Sequence, residues 1–266
     1  MEPFIHPSTK KTLQAFALSK PHAVVLTGPK GVGLYTIARV FSKKLNGLAL
    51  EVSPPEGVMN VEMVRDLYDI TKTKSTQRRC VIIAEADRMS HQAQNALLKL
   101  LEEPVDQTTF ILLSHAIDGL LPTIRSRVQA IDVHPVPVAM TDELLDALDV
   151  PDTQMRAQLS FIAAGLPAAL TELALNEAAF SARVAIVKDA RTYIQGRRYE
   201  RLVIAQRYAE SRTDAQLLLE DALKLLERSI SLKDTKILKR IEQLTLVYER
   251  LLQNGNVRLQ LTAGVV

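Results

Sequence analysis

"AVVLTGPKGVGLYTIARVFSKKL", residues 23–45, carries three signals in succession. Residues 23–28 form an apolar, β-branched run closed by a glycine, which reads as a buried strand. Gly28 and Gly33 then keep the G-x-x-x-x-G spacing of a phosphate-binding loop. Residues 34–45 return to helical spacing. Strand, glycine loop and helix in that order open an α/β sheet. The two places after Gly33 normally hold a lysine that grips phosphate and a hydroxyl residue that holds Mg²⁺. Here they hold Leu34 and Tyr35.

Working outward, residues 80–86, 108–115 and 128–134 are further apolar runs with strand character. Residues 61–73 and 91–103 carry helical spacing between them, the second stopped by Pro104. Strands buried on both faces and alternating with helices predict a mostly parallel sheet in an α/β domain over residues 1–136. The segment "HPVPVAMTDE" (134–143) reads as a linker, with Thr141, Asp142 and Glu143 suited to start a helix. Residues 137–177 are expected to be a small helical domain around "AAGLPAAL".

Residues 178–266 show no strand candidate and predict an all-α domain. Thr213 and Gln216 stand in a capping-box relation, and Ile237, Ile241, Leu244, Tyr248 and Leu251 share one stripe, ended by Asn254 and Gly255. These stripes serve the domain's own core, a partner, or both. The spacing alone leaves that open.

Composition bounds the function. The 266 residues are 47% hydrophobic but only 5% aromatic, with no Trp, which favours helices over a β-sandwich. A net charge of +3 permits nucleic-acid contact without demanding it. Cys80, the single cysteine, excludes an internal disulfide and a cysteine-rich zinc site, and its place in an apolar run reads as a buried thiol. The N-terminus lacks the apolar segment of a secretory signal, and no stretch is long enough to span a membrane. A soluble, cytosolic protein is expected.

The chemistry of the loop is depleted in more than one place. Leu34 has no charge, and the Tyr35 hydroxyl is carried on a ring too long for a magnesium shell. Thr36 comes one place too late on a helix that turns about 100° per residue. Lys30, in the loop itself, either touches a phosphate or is solvated. The strand ending "VIIAEAD" has Ala84 where a magnesium-organising aspartate belongs and keeps Glu85, with Asp87 two residues beyond the glutamate and unable to take over. Phosphoryl transfer rests on positioning and charge stabilisation, so loss of the lysine and the Mg²⁺ ligands together predicts no hydrolysis. In "LLPTIRSRVQ" (120–129), Ser126 and Arg127 admit two readings: a solvated charge, or an arginine given to a neighbouring subunit's nucleotide.

The run "EADRMSHQAQNALLKLLEEPVDQTTFILLSHAIDGLLPTIRSRVQAI", with "KPHAVVLTGPKGVG", "AAGLPAAL" and "NGNVRLQL", resembles bacterial clamp-loader subunits of the AAA+ class. Within them it is most similar to the delta-prime branch of the DNA polymerase III clamp loader. The resemblance implies an AAA+ α/β domain, a helical lid and a helical collar. The collar joins gamma/tau-type and delta-type subunits in a hetero-pentameric ring that places the sliding clamp on primed DNA.

It also implies a stator that does not hydrolyse ATP and presents a Ser-Arg-Cys motif to the next subunit's nucleotide. That motif falls on Ser126 and Arg127, with Val128 replacing the cysteine. Ser114 falls at the γ-phosphate-sensing position, here read as a structural hydroxyl. The sensor arginine of the ATP-hydrolysing subunits is replaced by Ala168, three places after Gly165. Only about forty residues separate the loop from the Cys80 strand and they hold no zinc-binding cysteines, so no metal is expected.

On this reading Gly28, Gly31 and Gly33 are kept for the turn, and no cofactor is expected. DNA contact, with "KTKSTQRR" (72–79) as a basic run, would be with phosphates and without sequence specificity. Whether adenine lodges near His22 stays open. The alternatives are a gamma/tau-type ATPase using Lys30 and Glu85, or an AAA+ scaffold outside replication.

Overall fold

A computed structural model describes residues 3–54, 59–72, 77–103, 107–229 and 235–265. The apolar runs become strands β1 (Ala23–Thr27), β3 (Arg79–Ile83), β4 (Thr108–Ser114) and β5 (Gln129–Asp132), joined by β2 (Leu48–Val52). All neighbours are parallel, in the order β2-β3-β4-β1-β5. The chain divides into two compact units, Met1–Glu172 and Leu173–Val266.

In the first unit each central strand sends alternate side chains to opposite faces, as a pleated strand must. Val24, Leu26, Ile82, Ile111 and Leu113 meet one layer, formed by helices α1 (Pro7–Ser19) and α2 (Leu34–Lys44) through Leu13, Ile37 and Phe41. Val25, Val81, Ile83, Phe110 and Leu112 meet the other, formed by α3 (Val61–Lys72) and α4 (His91–Glu102) through Val64, Leu67, Leu97 and Leu100. Cys80 is fully buried and burial pushes its thiol pKa up, which fits an inert core residue. Thr9 of α1 is tied to β5, donating to the Asp132 carbonyl at 3.2 Å and accepting from His134 N.

After the four-residue helix α5 (Pro122–Arg125) and β5 come α6 (Val138–Ala147), α7 (Thr153–Ala163) and α8 (Pro167–Leu175). The expected linker over 134–143 is therefore helical from Val138, and α6 begins before Thr141. Thr141 is buried inside it, where its hydroxyl accepts from Gly165 N at 3.1 Å. A β-branched polar residue that is a good helix starter is used here as a buried tie from α6 to the turn between α7 and α8.

The second unit is helical: α9 (Glu177–Gln195), α10 (Arg198–Arg207), α11 (Arg212–Arg228), α12 (Thr235–Leu252) and α13 (Val257–Ala263). Their core contains Tyr193, Ile204, Leu218, Leu219, Leu244 and Leu251, with Ile237, Ile241 and Tyr248 packed against it, as the α12 stripe predicts. The capping box expected at Thr213 and Gln216 lies two residues too far along. Ser211 is the N-cap of α11, and its hydroxyl accepts from Asp214 N at 3.2 Å. Asp221 is fully buried on α11 and is held in a two-point ion pair by Arg183 of α9. Pro104, Thr73 and residues 230–234 lie outside the described residues, as does the stretch 73–76 of the basic run.

Candidate functional site

The glycine loop leaves the C-terminal end of β1 and feeds the N-terminus of α2. Gly31 and Gly33 have φ of +84° and +94°, backbone that side chains resist. Gly28 is fixed by space instead, since a Cβ there would stand 2.6 Å from the Val133 carbonyl oxygen. The bend is thus built into the fold.

The side chains that follow point away from phosphate chemistry. Leu34 is buried in the α1/α2 core beside Ile37 and Phe41, so hydrocarbon fills the place of the lysine. Tyr35 donates its hydroxyl to the Glu51 carboxylate on β2, and Arg39 Nε reaches the same carboxylate at 3.4 Å. Its oxygen therefore leaves the loop altogether. Lys30 is exposed. Thr36 lines a groove of about 700 Å³ that also takes in the loop residues Val32 and Gly33, with Phe4, Arg39, Leu144 and Ala168.

The end of β3 is closed in a similar way. Ala84 follows the strand, its N–H donating to the Val52 carbonyl at 2.9 Å. Glu85 has φ +49°, and its carboxylate is paired with Arg88 at 2.6 Å. Asp87 accepts from His115 N at 3.2 Å, and His115 Nδ1 bonds the Gly28 carbonyl at 2.8 Å. A carbonyl only accepts, so Nδ1 carries the proton. His115 thus ties the ends of β1, β3 and β4 together, a role that no sequence spacing announces. Ser114 is fully buried at the end of β4, and its hydroxyl has no partner among the described residues.

The loop is also joined to α8. The Gly31 carbonyl accepts from Ala168 N at 2.9 Å and Ala169 N at 3.0 Å, capping the first turn of that helix. The approach is close, because a Cβ on Gly31 would stand 2.6 Å from the Ala169 Cβ. Ala168 brings no cation. With Leu34, Ala84 and Ala168 all hydrocarbon, the donor set does not fit Mg²⁺-ATP. Among the described residues no three His, Cys, Asp or Glu side chains cluster at metal distance.

Arg127 lies elsewhere. It precedes β5, whose first residue Gln129 pairs with Val24 at the N-terminal end of β1, whereas the glycine loop follows the C-terminal end. The strand alone spans about 13 Å from Val24 to Gly28. Arg127 Nη1 donates to the Thr123 carbonyl at 2.9 Å and to Ser126 Oγ at 3.3 Å, and Nη2 pairs with Glu102 at 2.8 Å. His22 lines a concavity of about 500 Å³ here with Arg127 and Gln129. It is therefore not beside the glycine loop, where an adenine would have to be.

The sheet order, the glycine loop after β1 and the helices that follow define the AAA+ fold class. A DNA polymerase III gamma subunit-related protein from Thermotoga maritima matches the fold over 97% of both chains, with a TM-score of 0.55 and 19% identity. The family described as "DNA polymerase III, delta subunit" matches residues 49–137. The DNA polymerase III subunit delta' of Pseudomonas aeruginosa is 30% identical over 175 residues, covering 55% of this chain and 53% of that protein. A replication factor C small subunit from Pyrobaculum islandicum is 33% identical over 138 residues, covering 48% and 43%. The chain spans about half the length of these curated relatives. Over these segments the chain is similar to subunits of bacterial clamp loaders. Among the described residues no helix is long and apolar enough to cross a membrane.

Proposed function

We propose that this chain is a delta-prime-like stator of a cytoplasmic replicative clamp loader, which does not hydrolyse ATP and lends Arg127 to a neighbouring subunit's nucleotide. The observation that carries this reading is the separation of Arg127 from the chain's own glycine loop. A guanidinium at the N-terminal edge of the sheet has no route to a phosphate at the C-terminal edge. Any nucleotide that it reaches must belong to another molecule. The filled Leu34 position and the Gly31 carbonyl bonded to the start of α8 support the complementary half, since neither offers a group that grips phosphate.

On this reading residues 1–136 are the AAA+ domain, 137–177 the lid and 178–266 the collar. The partners are gamma/tau-type and delta-type subunits, the sliding clamp, and primed DNA through phosphates. Reconstitution tests it. A loader assembled with this chain is expected to place clamps on primed DNA in an ATP-dependent manner, and the same subunits without it are expected to fail. Equal loading in both would overturn the assignment.

A further inference from the structure

Glu102 stands at the last residue of α4, where the helix macrodipole makes a carboxylate unfavourable unless a cation is near. That cation is Arg127, 2.8 Å away. The other two acceptors of Arg127, Thr123 and Ser126, belong to its own turn of chain, which is packed in the core through Ile124. Glu102 comes from a separate element, α4, anchored in the same core through Leu97, Leu100 and Leu101. Of the three acceptors it alone holds the guanidinium from outside its own turn of chain. We infer that Glu102 is the positioning residue for Arg127, fixing the direction in which the guanidinium is presented to the neighbour.

This rests on the trans-arginine reading above. The pair is half exposed, with side-chain accessibilities of 37% for Arg127 and 49% for Glu102. Exposed pairs contribute little to folding, so a role in stability is a poor reason for this one. What it supplies is orientation, and among the described residues three of the five N–H donors are engaged. Small displacements of a charge that acts on a transition state cost rate steeply.

The test uses the reconstituted loader and four forms of this chain. Glu102→Ala removes the acceptor and is expected to lower kcat for ATP about three- to tenfold with KM unchanged. Glu102→Gln keeps an oxygen that accepts from Nη2 and is expected to recover most of that loss. In an Arg127→Ala background, Glu102→Ala is expected to have no further effect, because nothing remains to be aimed. If Arg127→Ala slows turnover but Glu102→Ala does not, the positioning role falls and the trans-arginine reading stands. A Glu102→Ala loss that persists in the Arg127→Ala background marks a merely structural effect and also overturns the positioning role. Failure of glutamine to rescue overturns it as well. If Arg127→Ala itself leaves turnover intact, both readings fall.

Discussion

Replacing Arg127 with alanine is expected to lower ATP turnover of the reconstituted loader by about tenfold or more, while this chain folds and assembles as before. A guanidinium placed against a γ-phosphate stabilises charge that spreads over the phosphoryl oxygens in the transition state, so its removal appears mainly in kcat. The fold should not notice, because the side chain is more than a third exposed and its ion pair lies at the surface. Helical content and thermal unfolding of the variant give that control, and clamp loading on primed DNA gives a second readout. Wild-type turnover with the alanine variant incorporated would remove Arg127 from the mechanism.

The other large effect belongs to the helical unit. Arg183→Leu is expected to destabilise it by about 3–5 kcal/mol, because it strands the fully buried Asp221 carboxylate without a counter-ion. The cost comes from the unpaired charge more than from the lost contact. Arg183→Leu combined with Asp221→Leu should therefore recover most of the stability, since apolar groups of similar size often replace a buried pair with little loss. Urea unfolding of both variants checks this. A single variant as stable as the parent, or a double variant no better than the single, would show that the pair is not what holds α9 to α11.

These consequences were legible in the sequence to different depths. The central strands announced themselves because β1, β3 and β4 are buried on both faces and read as unbroken apolar runs. β2 escaped, since "LALEV" is a half-exposed edge strand whose Leu48 faces outward and whose Glu51 is used by Tyr35 and Arg39. The helix α1 was missed for a related reason: only Thr9 and Leu13 of it are buried, so its apolar face is thin. Helix starts were misplaced where a Ser or Thr had two possible jobs. Thr141 looked like a starter and became a buried tie, and Thr213 looked like a cap while Ser211 took that place.

At the candidate site, the lost lysine and aspartate positions could be read directly from spacing, because a loop motif fixes which residue follows which. What filled them could not. That Leu34 enters the core, that Tyr35 turns to β2 and that Gly31 caps α8 are consequences of tertiary packing between segments far apart in the chain. His115 and Glu102 escaped for the same reason, as each acts through a partner on another element. The open question at His22 is answered by the strand: His22 precedes β1, and a strand carries its two ends to opposite edges of the sheet.

The most direct measurement of the central claim is ATP turnover by the purified chain alone, in Mg²⁺, beside the Glu85→Gln variant. With Leu34 in the core, Ala84 at the strand end and Glu85 paired to Arg88, the account predicts no turnover above the buffer blank for either protein. Turnover by the parent chain that disappears in Glu85→Gln would contradict it.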